Sequence, residues 1–234
     1  MSKTGLLVVL FVFFQYVAAH SQTLVTQVTG SVIGIGAPIC EKLGTDYAAC
    51  KGRWQNSNGS ESATVGMQAR SAYGTVSGGS TAVSDCSGFC QLATEAQATS
   101  WAGDVAYLQN VPDSDAYFLV KISAMIQVTD STADPAQVLM QIQDEEGQRA
   151  VCSVSEATGK CYAYIPVTSS TGSVTFGLSA GAEAFASLNS PTGGSLTESA
   201  SCNGSITALA VVNSKGQVLK NVVITTGSGH TYPL

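Results

Sequence analysis

Between Tyr117 and Val128, apolar side chains fall on every second residue. Phe118, Val120, Ile122, Ala124, Ile126 and Val128 form one series, and Tyr117, Leu119, Lys121, Ser123, Met125 and Gln127 form the other, mixed one. A period of two over this length marks a strand with one face on a core. Lys121 interrupts the mixed face, where its stem can lie along the sheet with the ammonium in water. The pattern recurs downstream. Val138, Met140 and Ile142 alternate with Gln137, Gln141 and Gln143, and Val174, Phe176, Leu178, Ala180, Ala182, Ala184, Ala186 and Leu188 form a long series. The alanines in that series predict close approach of an opposing sheet.

Other segments are read the same way. Residues 20–36 predict a first strand. Residues 61–83 predict a strand or strand pair, with Gly78-Gly79 as its turn. Residues 94–109 predict a strand with Thr99, Trp101, Gly103, Val105 and Tyr107 on one face. Residues 148–155 and 160–166 predict a hairpin around Ala157–Lys160. Strands follow at 195–201, 205–213 and 217–226, with Asn213–Gly216 as a hairpin turn. A short helix around Glu41–Ala49 is the one helical expectation. About ten to twelve short strands, with turn signals every ~8–15 residues, define an all-β class: an antiparallel β-sandwich of jelly-roll-like form.

The N-terminus changes the picture of where the chain works. Lys3, the apolar run Gly5–Phe14 and the small residues Val17-Ala18-Ala19 have the order of an export signal, with cleavage expected after Ala19. Residues 1–19 are thus expected to be a signal peptide and 20–234 a single β-sandwich domain. No later apolar run is long enough to span a bilayer, so no transmembrane segment is expected after cleavage.

Charge narrows the partners. Charged residues make up 11% of the chain, against about 25% in ordinary domains. The polar surface must come mostly from Ser, Thr, Asn, Gln and Gly. The net charge of −6 and the scarcity of arginine argue against nucleic acid or an anionic membrane as partner.

All seven cysteines lie beyond the signal, as expected of a protein that meets an oxidising compartment. Sequence does not fix their connectivity. Spacing favours the local bridges Cys40–Cys50, Cys86–Cys90 and Cys152–Cys161, each contributing about 2–3 kcal/mol. Cys202 is left over as the free thiol. Were it exposed, it could join two chains.

Catalytic chemistry finds little support. Of two histidines, His20 sits at the signal junction and His230 in the C-terminal tail, so a Ser-His-Asp site would depend on a tail residue read as disordered. No catalytic residue is assigned, and the chain is expected not to be an enzyme. Cys86 and Cys90 lack the further ligands a metal would need. The acidic groups Asp113/Asp115, Asp130/Asp134 and Asp144/Glu145/Glu146 offer the oxygens Ca²⁺ takes, but none has EF-hand spacing, and turn chemistry accounts for them. No cofactor is expected. The side chains suited to a ligand are aromatic. Trp54 and Tyr47 lie near the Cys40–Cys50 loop, and Tyr162 and Tyr164 sit two apart on one strand face.

Three blocks carry a resemblance: Ala63–Val76 (ATVGMQARSAYGTV), Ser100–Val128, and Tyr164–Tyr232 with its IPVT entry, VTFGLSAGAEAFASL strand, ITALAVVNSKGQVL hairpin and closing TTGSGHTY. Over about two thirds of the chain this resembles bacterial exported β-sandwich proteins of unassigned function, the PEP-CTERM-type surface proteins. The resemblance implies a fold and a location, and no activity. The chain lacks the group's terminal Pro-Glu-Pro motif, apolar anchor and basic tail, so free secretion or loose surface association is expected. The leading expectation is an exported structural or interaction protein at the cell surface or in extracellular matrix, with polysaccharide or a second copy of itself as partner. A carbohydrate-binding module is the alternative, and a glycoside-active enzyme the third.

Overall fold

The structure, a computed structural model, describes residues 22–33, 38–57, 59–129, 136–155 and 157–234. The expected signal peptide and the Asp130/Asp134 cluster lie outside the described residues. Thirteen strands follow in chain order: β1 (Thr23–Val32), β2 (Pro38–Gly44), β3 (Tyr47–Gln55), β4 (Glu61–Ala72), β5 (Thr75–Ser87), β6 (Cys90–Gln109), β7 (Tyr117–Val128), β8 (Ala136–Asp144), β9 (Arg149–Val154), β10 (Thr158–Pro166), β11 (Ser173–Ser190), β12 (Gly193–Val212) and β13 (Val223–Thr226). They form two antiparallel sheets. A seven-stranded sheet runs β2-β1-β6-β11-β8-β9, with β13 also on β6, and a six-stranded sheet runs β10-β7-β12-β5-β4-β3. No described residue is helical.

The alternation in β7 buries Phe118, Val120, Ile122, Ala124 and Ile126 against β8 and β11 of the other sheet, beside Met140, Ile142, Phe176 and Leu178. Val128 ends the series exposed. Where glycine or alanine lines one sheet, the two sheets fit by size. A Cβ on Gly30 of β1 would stand 2.7 Å from the Val65 side chain of β4, and one on Gly204 of β12 would stand 2.5 Å from that of Val138 on β8. Ala96, Ala98, Ala184 and Ala186 face Val65, Met67 and Ala82 in the same way. The alanines of β11 therefore do mark close approach. In this thin half, Ser84 of β5 donates across the seam to the Ala186 carbonyl at 2.7 Å.

Every disulfide joins one sheet to the other. Cys40–Cys50 ties β2 to β3, Cys86–Cys90 ties β5 to β6, and Cys152–Cys161 ties β9 to β10. β2 and β3 are the edges on one side of the sandwich, and β9 and β10 the edges on the other. Both open sides are thus stapled, and the third bridge closes an end.

Several expectations are corrected by this architecture. Residues 41–49 hold the β2–β3 corner, not a helix, because β2 finds β1 as a partner and Cys40 and Cys50 span the gap. The β4–β5 turn is at Tyr73-Gly74, where Gly74 takes a φ of +82°, while Gly78 and Gly79 lie inside β5. Residues 149–166 are not an in-plane hairpin. β9 pairs with β8, β10 pairs with β7, and the turn carries the chain across the seam, so Val154 and Ile165 both reach the core. In β6 the even face is buried, with Ala96, Ala98, Ser100 and Ala102 inward. Trp101 lies on the outer face, over Gly103 and Gly177. The segments 195–201 and 205–213 are one strand, β12, because β5 and β7 pair on its two sides and carry it past Asn203-Gly204 with only a register shift near Thr207. The Asn213–Gly216 turn forms and brings the chain back on β12 at a single bridge, Val212–Val218, but the strand that follows, β13, pairs with β6.

Size matching across the seam makes a direct prediction. Gly204→Val should lower stability by about 1–3 kcal/mol, as overpacking does, and Val138→Ala in the same chain should recover part of the loss. Chemical denaturation of the single and double variants measures this. Additive losses would show that the two positions do not touch.

Candidate functional site

Pairing register arranges the outward side chains of the six-stranded sheet in rows. One row crosses all six strands from β10 to β3: Thr158, Met125, Asn203, Ser77, Arg70 and Tyr47. The next holds Gln127, Ser201, Gly79, Gln68 and Ala49. A third holds Ser199, Thr81, Gly66 and Lys51, with Thr129 hydrogen-bonded to Ser199 at 3.0 Å. In these rows the central strands β12 and β5 present Ser, Gly, Thr and Asn, and longer side chains flank them: Met125 and Gln127 on β7, Gln68 and Arg70 on β4, and Tyr47 and Lys51 on β3. Short floors between long banks make a trough. Two depressions of about 1000 and 990 Å³ lie along it and share Tyr47. The floor is open at Gly66, where an added Cβ would meet nothing within 4 Å.

Tyrosines stand toward both ends of this face. On β3, Tyr47 carries the Arg70 guanidinium 5.0 Å above its ring. On β10, Tyr162 and Tyr164 are 62% and 53% exposed, with ring centroids 6.1 Å apart and planes 23° from parallel. Tyr117 meets Tyr164 edge-on at 5.9 Å. Tyr162 is paired opposite Lys121 on β7. Three of the four aromatic candidates read from the sequence therefore share one face. Trp54 does not. It points inward from β3 and, like Ile39, packs on the Val32, Ala63 and Leu92 cluster at the end of the core. Sequence reasoning missed the trough floor, whose signal is the run of small polar residues at alternate positions in β5 and β12.

The remaining candidates are structural. Cys202 is buried at 0% exposure and its thiol donates to the Gly181 carbonyl at 3.2 Å. Burial pushes the thiol up to about 12, so it stays protonated and cannot link two chains. Among the described residues no group of three His, Cys, Asp or Glu side chains could hold a metal. The acidic turns use their oxygens locally. Asp113 accepts from the Ser169 hydroxyl, Asp115 from the Ser214 amide at 2.8 Å, and Asp144 from the Gln148 amide at 2.8 Å. The Ser214 hydrogen bonds hold the Asp115 carboxyl below its ordinary range.

The C-terminal tail is docked, which corrects its reading as disordered. Asp104 of β6, 1% exposed, accepts from its neighbour's amide at Val105, from the Ser228 amide at 3.0 Å, from the Ser228 hydroxyl and from the Tyr232 hydroxyl at 2.9 Å. The tail reaches further along the core, where Pro233 accepts from the Leu209 amide at 2.7 Å. His230 stacks edge-on with Tyr232 at 4.7 Å. Asp104 bonds Ser228 directly and does not orient His230, so Ser228, His230 and Asp104 are not arranged as a catalytic triad.

No family model matches the chain, and no curated protein matches it. Among solved structures, one match is to TmCBM61 in complex with beta-1,4-galactotriose, at 9% identity and a TM-score of 0.25, covering 71% of this chain and 88% of that one. A likeness at that level carries no argument, and the site is read from its own geometry.

The tail clasp predicts a pH dependence. Burial, and then the Asp104 charge, raise the Tyr232 phenol well above its ordinary 10.0. A raised phenol stabilises the folded state in full below pH ~10, and that contribution is lost as pH rises further. Tyr232→Phe should cost about 1.5–3 kcal/mol at pH 7, as loss of a hydrogen bond to a charged group does. The gap between it and the native chain should then shrink above pH 10. Denaturation at pH 7 and pH 11 tests this, and a constant gap would refute it.

Proposed function

We propose that this chain is a non-catalytic polysaccharide-binding protein of the cell surface or extracellular space, and that the outer face of the six-stranded sheet is its binding surface. The trough carries the reading. Its floor offers hydroxyls and amides from Ser77, Ser199, Ser201, Asn203, Gln68 and Gln127, Tyr47 lines it, and Tyr162 and Tyr164 stand exposed beyond it on the same face. A sugar polymer presents hydroxyls to such a floor and apolar C–H faces to aromatic rings. The trough crosses strands about 4.8 Å apart, so it suits an extended chain better than a single ring.

The three disulfides support an oxidising compartment. A self-assembling role has less support. The edge strands β2, β3, β9 and β10 are short, at 7, 9, 6 and 9 residues, and carry charges or proline: Pro38, Glu41 and Lys42 on β2, Lys51 and Arg53 on β3, Arg149 on β9, and Lys160 and Pro166 on β10, while β13, paired on one side with β6, has only 4 residues. Such edges discourage pairing with another chain. Catalysis also lacks support, since the buried carboxylate at Asp104 has its oxygens filled by donors from the chain itself.

Affinity electrophoresis through gels containing neutral and acidic polysaccharides tests the proposal. Retardation is expected on at least one polymer. Tyr47→Ala and Tyr162→Ala should each weaken it about five- to tenfold, the scale of one aromatic contact. Gly66→Leu, which fills the floor without touching the core, should abolish it. Unchanged migration on every polymer would end the reading, and release of reducing sugar would overturn its non-catalytic part.

A further inference from the structure

The chain is acidic, yet its charges are segregated by face. Of the 10 Lys and Arg residues, five project from the outer face of the six-stranded sheet: Lys51, Arg53, Arg70, Lys121 and Lys160. Among the described residues, the carboxylates of that face are two, Asp85 at the far end of β5 and Asp46 in the β2–β3 corner, which lines one end of the trough. The outer face of the other sheet has the opposite sign, with Glu41, Glu95 and Glu183 against Arg149. Burial and the neighbouring Glu95 raise the Glu183 carboxyl above its usual range, as crowded acids require. The molecule therefore turns a basic face outward on the side that holds the trough.

We propose that the trough takes a carboxylated polysaccharide, a polymer containing uronic acids. This rests on the reading of the trough as a glycan site and names the class of glycan. Lys51, Arg53 and Lys160 sit on edge strands, where charge also guards against strand pairing. Arg70 and Lys121 sit inside the sheet, on β4 and β7, where no such guard is needed. Three strand intervals across the sheet and four residues along the strands separate them, about 20 Å on a diagonal, with Thr75, Ser205 and Ser123 between. A polymer crossing the sheet on that diagonal would meet a cation at each end and hydroxyls in the middle. That is the alternation a uronate chain presents, with carboxylates spaced by neutral hydroxyls.

Arg70 is suited to the planar group. Its guanidinium rests on the Tyr47 ring, which restrains the side chain, and a guanidinium fork can take both carboxylate oxygens. Lys121 stands opposite Tyr162, so each bank pairs one cation with one ring. Five cations spread over six strands are too sparse for duplex DNA, which carries one charge per ~1.7 Å.

The experiment compares polymers that differ only in charge. Polygalacturonate and alginate, and the methyl esters of both, are run against the full chain by affinity electrophoresis and titration calorimetry. Dextran sulfate and duplex DNA serve as charge-only probes. Binding to a uronate polymer is expected to fall at least tenfold on esterification. Arg70→Gln or Lys121→Gln should weaken it about three- to fivefold, and the double variant about tenfold, the scale of partly exposed ion pairs. Glu183→Gln, on the opposite face, should leave it unchanged. Equal binding of the methyl esters would overturn the uronate assignment while leaving the glycan site standing. Dextran sulfate or DNA binding as tightly would overturn it too, by showing a face that reads charge alone. Failure of both uronate polymers, with a neutral polymer bound, would refute the inference. Failure of every polymer would remove the glycan site itself.

Discussion

Matched side-chain size across the seam is the constraint on which the rest of this molecule depends. Gly30 receives Val65 and Gly204 receives Val138, so neither sheet can slide or separate without opening a void or forcing a clash. Interiors pack near the density of organic crystals. A glycine facing a valine is therefore a statement about relative position as much as about volume. In the cluster that holds Val138, Phe118, Phe176, Met140 and Ile142 fill a thicker core. The sandwich is held together by both halves and is thin in one of them.

The disulfides add a covalent version of the same restraint. Short bridges stabilise chiefly by limiting the unfolded chain, each by about 2–3 kcal/mol on the entropic account. Here they also close the two open sides and one end, because each links strands of different sheets. A fold with only 11% charged residues has few ion pairs to draw on. The buried Asp104 stands out against that background. A single carboxylate collects donors from Val105, Ser228 and Tyr232, and so fixes the last turn of the chain to β6. With the core so sealed, the polar outer face of the six-stranded sheet is free to serve a ligand.

Much of the fold was legible because strand alternation is local. The buried series of β7, β8 and β11 can be read directly from the residues, and the local cysteine spacings gave all three bridges. Errors cluster where partner strands decided. Gly78-Gly79 has turn composition, yet it is held straight by pairing on both sides within β5. Residues 149–166 have hairpin composition, yet each arm had a better partner in a different sheet. In β6 the alternation groups Thr99, Trp101, Gly103, Val105 and Tyr107 on one face, and the facing sheet decides that the other face is the inner one. Alanines lie inward there because the facing sheet already supplies Val65 and Met67.

The candidate site divides in the same way. Tyr47, Tyr162 and Tyr164 could be picked out as aromatics on strands, but their distribution over one face depends on a strand order that composition does not encode. Trp54 looked equivalent to them and turned inward, because parity within β3 places it beneath the sheet. By itself the sequence determined the strand class and the alternation that separates core from surface, and its spacing favoured the cysteine pairs that form, since these depend on neighbours one to ten residues apart. Only the tertiary structure decided which strands lie side by side, and with them the trough, its basic banks and the docking of the tail on Asp104. Those arise from contacts between residues as far as 128 apart, and such separations leave no periodic trace in the chain.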